Sequence, residues 1–520
     1  MTKGRTIVIG MESAELTLVE QWVREGVLPF LGSLLSSTPL VTLRTPNHVL
    51  QVATWPSLFT GASAGRHGQY VLWSQIRTGS YAMVGQRTKR RGSLRRYEEF
   101  LADHGIGCAV ADIPADMRVP NFRGIQIVDW GTEFRLGTFK TQPQSLADRI
   151  RREVGLYPLS MSSQSGDSQG EHLELAESLK EGARLKGTLT RWLMQQPGLD
   201  HIFCTFSEMH KGAHWFWKYM DRNHVDHEES SPALREALRH IYEVVDRELA
   251  MIAAQLGPHD NLIVMSEQGM QANYRGDHLA EPFLEALGLL VRNRPPFLKD
   301  GVLPRGGGSR ARPRSAAQRA LAAAKALLPD AMQVKLERVL SNRREIDWPR
   351  TRVFVLPTDR NTYLRVNLQG REPLGCVQPG AEYEALLDRL EMELRALRNG
   401  STGRPAVVEV FRMREIFPGD RADDLPDLAV EWAAESPIDA LRSTSVGTLS
   451  LSVRELRSGN HRSEGFLLAR GPAFVTGAER LEGDILQIAP TLLLLHGVPL
   501  PSQFERGPLS ILKDAAAVAA

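Results

Sequence analysis

Cysteine is scarce in this chain. The 520 residues contain only three cysteines, Cys108, Cys204 and Cys376, which are far apart and odd in number. Such a set cannot form the disulfide framework that holds small secreted domains together. The scarcity favours a reducing compartment, and we expect a cytoplasmic protein.

Long apolar runs and an excess of one charge are also missing. No stretch reaches the roughly 18 apolar residues of a membrane-spanning helix, and residues 1–13 lead into a strand without the apolar segment of a signal peptide. The net charge is +2, so nothing global indicates nucleic acid binding. We expect neither a membrane nor a nucleic acid as a stable partner. Two basic clusters, 87–96 and 305–319, are interpreted as solvated surface, with guidance of a polyanion as the alternative.

Short apolar runs alternate with amphipathic helical patterns along the chain. This alternation is typical of an α/β fold, and we predict a mostly parallel central sheet sandwiched by helices. The strands are expected at Thr6–Gly10, Cys108–Ile113, Ile125–Val128, His201–Phe206 and Asn261–Ser266. The helices are expected at Leu16–Leu35, Pro143–Val154, Glu171–Gln195 and Pro232–Gly257.

The composition changes at about residue 291. A length of 520 residues suffices for two to four domains, and 292–319 is rich in proline, glycine and arginine before an Ala/Leu-rich stretch. We interpret 291–345 as an inserted cap or mobile loop-helix segment between the core parts 1–290 and 346–520. The same sheet is expected to resume after it, with strands at Thr351–Leu356, Tyr363–Leu368, Ala406–Phe411, Leu428–Trp432 and Phe466–Ala469.

Metal-binding residue types follow or lie near several of these strand-like runs. Loops at the carboxyl ends of parallel strands meet at one crevice, so side chains there can converge. A pair of histidines four residues apart shares one helix face and can chelate one ion. Three imidazoles and two carboxylates would make a metal site. The candidates are Glu12, His210, His214, Glu267, Gln268 and His461.

Together with further motifs, these segments resemble the alkaline phosphatase superfamily, in its type I phosphodiesterase/nucleotide pyrophosphatase branch. The motifs run nearly from end to end of the chain, and the resemblance implies the fold of that family and a two-metal site, usually of zinc. The additional motifs are Trp55–Gly61, Gly65–Gly68, Asn361–Glu372, Met413–Gly419, Pro426–Leu428, His461–Gly465 and Ala489–Thr491.

The resemblance also implies which residues would bind each ion, and most of the family's ligands are exchanged here. One ion would take His210, His214 and His461, where His210 stands in place of an aspartate. The other would take Glu12, Glu267 and Gln268, in place of two aspartates and a histidine. Glutamate remains a hard anionic ligand, whereas glutamine is a weak one. We therefore expect one or two divalent ions (zinc, iron or manganese), and a single ion bound by three histidines and one glutamate is an open alternative.

The nucleophile position of the family is occupied by Gln51, which cannot form an alkoxide. Thr54 and Thr45 are alternatives for a displaced nucleophile, although a structural hydroxyl explains both. A metal-activated water could attack the substrate directly. If Glu12 and Glu267 instead share a proton, one of them becomes a candidate general acid or base.

These residues leave three hypotheses of function. The first is a metalloenzyme that hydrolyses a phosphate-, phosphonate- or sulfate-type ester of a small anionic substrate, without a phosphoryl-Thr/Ser intermediate. The second is a non-hydrolytic biosynthetic enzyme, for example an iron-dependent redox enzyme. The third is a catalytically dead binding protein. Asp277-His278 is interpreted as a surface or substrate-loop pair and His67 as structural, and the oligomeric state stays open.

Overall fold

The computed structural model describes most of the chain. The described residues are 4–44, 49–70, 94–114, 119, 122–132, 139–158, 168–293, 346–358, 361–451 and 457–513, with short pieces between 74 and 85.

Twenty strands and fourteen α-helices lie in these residues. The strands are β1 Thr6–Met11, β2 Leu40–Leu43, β3 Ser74–Ile76, β4 Met83–Gly85, β5 Cys108–Ala111, β6 Ile125–Val128, β7 Lys140–Gln142, β8 His201–Phe206, β9 Asn261–Ser266, β10 Gly269–Ala272, β11 Val353–Leu356, β12 Thr362–Val366, β13 Arg398–Asn399, β14 Val407–Arg412, β15 Leu428–Trp432, β16 Ala440–Ser443, β17 Gly447–Ser450, β18 Gly459–Arg462, β19 Gly465–Arg470 and β20 Arg480–Gly483. The helices are α1 Leu16–Arg24, α2 Pro29–Ser37, α3 Thr54–Thr60, α4 Ala64–His67, α5 Tyr97–Asp103, α6 Leu146–Glu153, α7 Gln169–Met194, α8 Glu208–Met220, α9 Pro232–Arg235, α10 Ala237–Ala253, α11 Ala280–Ala286, α12 Ala381–Arg395, α13 Met413–Ile416 and α14 Ile488–Leu495.

A nine-stranded sheet forms the centre of the molecule. Its order is β20-β2-β19-β9-β1-β8-β5-β6-β7. The strands from β9 through β1, β8 and β5 to β6 are parallel, while β19 runs antiparallel to both of its neighbours and β7 to β6. The predicted α/β fold with a mostly parallel central sheet is confirmed.

Both faces of this sheet are covered by helices, which explains why its central strands are apolar throughout. On one face the core includes Trp22 of α1, Phe216 of α8 and Tyr242 of α10. On the other face it includes Phe59 of α3 and Leu493 of α14. Each of the strands β1, β8 and β9 has six residues, and all of them are buried. This is expected for parallel strands between two helical layers.

The expectation that one sheet continues after residue 346 is wrong. The strands β11, β12, β15 and β14 form a separate four-stranded sheet in which every neighbouring pair is antiparallel. It has its own apolar core with α11 and α12. The connection between β11 and β12 spans only residues 357–361, which suits an antiparallel pair but not a parallel crossover. Of the later strands, β19 and β20 belong to the central sheet.

Two predicted helices are interrupted. The pattern over Leu16–Leu35 continues through the turn between α1 and α2, where Gly26 has a φ of +75° and Pro29 begins the second helix. The pattern over Pro232–Gly257 likewise divides into α9 and α10. Glycine and proline account for the first break through their backbone conformations, whereas the second falls at Glu236. The periodicity of apolar residues registers neither break.

Most of the predicted insertion lies outside the described residues, as do 87–93 and 305–319 of the two basic clusters. At its flanks, Arg292 and Ile346 form an antiparallel bridge. The chain therefore leaves and re-enters the described structure at adjacent points. Within the described residues, no helix is long and apolar enough to cross a membrane.

A buried network of ions connects the antiparallel sheet to α12. Both nitrogens of the Arg371 fork donate to Asp427 at 2.7 Å. The hydroxyl of Tyr383 and the backbone N–H of Val366 donate to the same carboxylate, also at 2.7 Å. Burial by itself would raise the pKa of Asp427, but the charge and hydrogen bonds of Arg371 outweigh it, so the pKa lies below its usual value.

We expect Asp427→Asn to destabilise the protein by about 3 kcal/mol at pH 7, since it removes one of the two carboxylates that pair with the buried guanidinium of Arg371. A lowered pKa in the folded state stabilises the fold above the ordinary pKa of aspartate, about 3.9. The difference between the wild type and the variant should therefore shrink as the pH falls below about 4. Denaturant midpoints measured across pH test this.

Asp388→Asn is the matched control. Asp388 pairs with Arg412 but its side chain is 70% exposed, so its loss should cost less than about 1 kcal/mol. Equal effects of the two substitutions would contradict the role given to Asp427.

Candidate metal centre

The candidate ligands gather at the carboxyl edge of the central sheet. The strands β9, β1 and β8 are neighbours, so the segments that follow them lie side by side. The backbone N–H of Glu12 donates to the carbonyl of Phe206 at 2.9 Å, and Glu267 directly follows the last residue of β9. Parallel strands thus deliver these groups to one crevice.

The helix α8 begins only two residues after β8. His210 and His214 lie one turn apart on it and are both buried. His461 comes from β18, which pairs antiparallel with β10. Gly459 allows β18 to approach the helix, because a Cβ at that position would lie 2.2 Å from the carbonyl oxygen of Ala213.

The three imidazoles point their Nε2 atoms at one another. His210 Nε2 lies 3.0 Å from His214 Nε2 and 3.2 Å from His461 Nε2. Among the described residues, these histidines form the one group of three or more potential metal-binding residues whose donor atoms converge. The three donor atoms lie within 4.8 Å of one another, which is close enough to bind one ion. Zinc–nitrogen bonds of 2.0–2.1 Å in a tetrahedron place nitrogens about 3.3 Å apart, and the observed spacing fits this value.

The other ring nitrogen of each histidine faces a fixed partner. His214 Nδ1 lies 2.7 Å from the carbonyl oxygen of Gly459, and a carbonyl can only accept, so Nδ1 carries the proton. His210 Nδ1 lies 2.9 Å from a carboxyl oxygen of Glu12, and when Glu12 is ionised this contact favours the same tautomer. Two Nε2 lone pairs then face each other at 3.0 Å. This contact is repulsive unless a cation lies between them, and the residues therefore fit a metal ion.

Glu12 contacts the ring of His210 on the side away from the three converging Nε2 atoms. Its Oε1 faces Nδ1 of His210, the ring edge away from His214 and His461. Direct coordination by Glu12 stays a prediction. In the observed position its carboxyl group can also orient the imidazole of His210.

Burial dominates the protonation of both carboxyl groups. It raises the pKa of Glu12 to about 8, although Ser207 and Lys186 act in the opposite direction. Burial followed by the charge of Glu12 raises the pKa of Glu267 to about 8 as well. The charge of Glu12 thus acts on Glu267, as expected for two carboxylates at one sheet edge that need a cation or a proton nearby.

Ser13 joins the two halves of the site, and sequence reasoning missed it. Its hydroxyl lies 3.3 Å from Glu267 Oε1 and 3.3 Å from Nδ1 of His461, and it accepts a hydrogen bond of 3.1 Å from Nε2 of Gln268. Ser13 has a φ of +52°, a left-handed conformation that is uncommon for serine. Its position directly after Glu12 was the only signal in the sequence.

A second buried ion pair lies next to the acidic side of the site. Lys186 of α7 and Asp112, at the end of β5, are both fully buried and form an ion pair. Asp112 also accepts the backbone N–H groups of Trp130 at 2.8 Å and Gly131 at 2.7 Å. The charge of Lys186 lowers the pKa of Glu12 against the effect of burial, so it partly balances the negative charge at this edge.

The structure places Gln51 and Thr54 at the start of one helical segment. Gln51 begins a 3₁₀ turn over Gln51–Ala53, and Thr54 is buried at the first position of α3. Asn361 and Tyr363 each donate to the carbonyl of Val49 at 3.0 Å, which fixes the approach to this turn. In the described part of the chain, no hydrogen bond or ion pair joins Thr54 to the three histidines. Thr45 lies outside the described residues.

Two other polar pairs have structural positions. Nδ1 of His67 accepts the backbone N–H of Gln69 at 3.0 Å, so its Nε2 donates to Ser57 at 2.9 Å and cannot act as a base toward that hydroxyl. Asp277 and His278 form a 3₁₀ turn and are each 8% exposed. The interpretation of Asp277 and His278 as a surface pair is therefore wrong, because the turn is buried.

Solved structures share the fold of the chain at low sequence identity. Phosphonoacetate hydrolase from Sinorhizobium meliloti 1021 matches in complexes with phosphonoformate and with phosphonoacetate, at 12% and 13% identity, a TM-score of 0.50 and 94% coverage of both chains. Murine ectonucleotide pyrophosphatase/phosphodiesterase 5 matches at 12% identity, 96% coverage of both chains and a TM-score of 0.47. No curated protein matches the sequence significantly.

The sequence profile described as type I phosphodiesterase/nucleotide pyrophosphatase matches residues 6–430. This region includes most of the central sheet, the helix with His210 and His214, and the antiparallel sheet. The chain therefore belongs to the type I phosphodiesterase/nucleotide pyrophosphatase family of the alkaline phosphatase superfamily.

Proposed function

We propose that the protein is a metal-dependent hydrolase of a phosphate-, phosphonate- or sulfate-type ester in a small anionic substrate. The observation that carries this proposal is the convergence of the Nε2 atoms of His210, His214 and His461, with distances of 3.0 and 3.2 Å. Membership of a family of phosphodiesterases and pyrophosphatases supports the hydrolytic reaction. The phosphonoformate and phosphonoacetate bound by the Sinorhizobium hydrolase support a small anion as substrate.

A bound divalent ion would supply a Lewis acid that lowers the pKa of water and stabilises negative charge on the ester. The three histidines would hold it through Nε2, because Gly459 and Glu12 direct the protons to Nδ1 of His214 and His210. Ser13 would fix the ring of His461 and donate to the carboxylate of Glu267, while Gln268 donates to the hydroxyl of Ser13. Glu267 is the nearest candidate for holding a proton during the reaction, since its pKa is raised to about 8, mainly by burial.

The reaction would differ from that of the family in its nucleophile. Gln51 has no hydroxyl or thiol, so a covalent phosphoryl-enzyme cannot form at this position. Thr54 is the nearest alternative in the same segment. Its hydroxyl belongs to a buried residue at the start of α3, and we propose a structural role for it. Water then remains as the attacking group.

The identity of the metal distinguishes this proposal from a redox enzyme, which three imidazoles and a nearby carboxylate would also suit. We expect protein purified without chelators to contain zinc in elemental analysis. Stoichiometric iron would favour redox chemistry, and a chain that binds no added metal would favour a binding protein.

We expect His214→Ala to weaken zinc binding by more than about 100-fold. Removing a residue that only hydrogen-bonds to a metal ligand already lowers metal affinity by about 10- to 100-fold. Titration of zinc into the chelator-treated protein measures this. Zinc at about 100 times its Kd should also stabilise the wild type by about 2.7 kcal/mol, and this gain should be absent in the variant. His104→Ala is the control, because His104 is exposed. Equal zinc affinity in all three proteins would exclude the histidine site.

Glu12→Gln and Glu267→Gln, made separately, test the carboxylates. We expect Glu12→Gln to reduce zinc affinity about 10- to 100-fold, because a neutral amide orients His210 less strongly. A second ion per wild-type chain that is lost in Glu267→Gln would assign Glu267 to a further metal site. Glu25→Gln removes an exposed carboxylate and serves as the control. Unchanged metal content and affinity in both variants would leave the three histidines as the whole site.

Gln51→Ala should retain activity within about tenfold, or about 1.4 kcal/mol in the barrier, whereas His214→Ala should lose it. Aryl phosphates, phosphodiesters, phosphonate esters and sulfate esters form the test panel. We expect weak turnover of simple aryl phosphates and phosphodiesters because the family's nucleophile is absent. Rapid phosphodiester hydrolysis with a trapped phosphoryl-threonine would refute this mechanism.

A further inference from the structure

A cavity opens beside the histidine site, between the strand pair β10–β18 and the antiparallel sheet. It is small and partly open to solvent. His461 belongs to its lining, so a molecule in the cavity would contact this imidazole. The other principal lining residues are Tyr274, Arg275, Asn361, Trp432 and Asn460.

The charge on this side of the histidines is positive. Arg275 lines the same cavity as His461. A guanidinium beside this imidazole opposes the binding of a metal ion to it. The cost is offset if an anion occupies the cavity, because an anion attracts both the guanidinium and the metal ion.

The guanidinium of Arg275 is fixed in position. Its side chain is only 13% exposed, and its Nε lies 3.3 Å from Oδ1 of Asp277. The ion pair balances part of the charge and orients the planar group at the cavity wall. Arginine presents its donors in a rigid fork that matches a carboxylate or a phosphonate group.

The remaining walls are also held before any ligand binds. Nε1 of Trp432 donates to Thr362 at 2.9 Å, and Gly276 packs so closely on the indole that a Cβ there would lie 2.5 Å from a ring atom. The amide nitrogen of Asn361 donates to Val49 at 3.0 Å. Such a rigid wall lowers the entropic cost of binding a small ligand.

We propose that this cavity binds a second anionic group of the substrate, with Arg275 as its principal counter-ion. The substrate is then a small molecule with two anionic groups, one directed at the metal centre and the other at Arg275. This inference rests on the proposed metal-dependent function and adds the substrate class to it. Arg275 is a specificity-determining residue in this scheme, and takes no part in bond breaking.

Two probes that differ only at the second group test the inference. Phosphonoacetate and ethylphosphonate share a phosphonate on a two-carbon chain, and only the first has a carboxylate. Calorimetry with the zinc-loaded protein measures the Kd of each. We expect the wild type to bind phosphonoacetate roughly 10- to 100-fold more tightly, the range for a hydrogen-bonded charged contact.

Arg275→Gln should abolish this preference and leave the Kd of ethylphosphonate within about threefold of the wild type. Arg275→Lys should keep part of the preference, because the charge remains while the planar fork is lost. Arg24→Gln removes an exposed arginine of α1 and is the control for net charge. Zinc content and thermal unfolding of each variant show whether the metal centre and the fold are intact.

The outcomes separate the two proposals. If the zinc-loaded wild type binds both probes with equal affinity, the second anionic subsite is wrong and the metal-dependent function stands. If it binds neither probe, the proposed function fails together with the inference that rests on it. If Arg275→Gln weakens both probes equally, Arg275 contributes only a general field, and the assignment of a second anionic group is overturned. Should Arg275→Gln fail to fold, a full preference in a folded Arg275→Lys variant would also overturn it.

Discussion

The convergence of three imidazole nitrogens at a buried sheet edge is the constraint on which the rest of the site depends. Because His214 Nδ1 donates to a carbonyl and His210 Nδ1 faces a carboxylate, their lone pairs are directed at each other at 3.0 Å. A cation removes this repulsion. The left-handed Ser13 and the close passage of Gly459 past α8 are local features that hold the rings in this arrangement.

The charges around this point are arranged in two layers. Glu12 and Glu267 lie on the acidic side, where burial raises their pKa values. The charge of Lys186 lowers the pKa of Glu12 and so offsets part of the negative charge. Arg275 lines the adjoining cavity together with His461. Carboxylates behind a metal strengthen its binding, and arginine in front of it attracts an anion. The same site can therefore favour a cation and a negatively charged substrate together.

Much of the fold could be predicted from the sequence, because fully buried parallel strands produce unbroken apolar runs. The predicted strands at His201–Phe206 and Asn261–Ser266 have the observed boundaries. The antiparallel sheet after residue 346 was assigned wrongly, since an apolar run does not specify which strands it will pair with. The helix break at Gly26 was missed because the apolar periodicity continues across it.

The sequence by itself determined the family, the class of fold and the residue types available at the site, including the absence of a hydroxyl nucleophile at Gln51. These features depend on local pattern and ordered motifs. Only the tertiary structure decided that Glu12 faces Nδ1 of His210, that Ser13 bridges Glu267 and His461, and that Arg275 lines the adjoining cavity. These contacts join residues about 200 or more positions apart, or depend on which edge of an imidazole ring faces its partner. Such geometry follows from the packing of strands and helices.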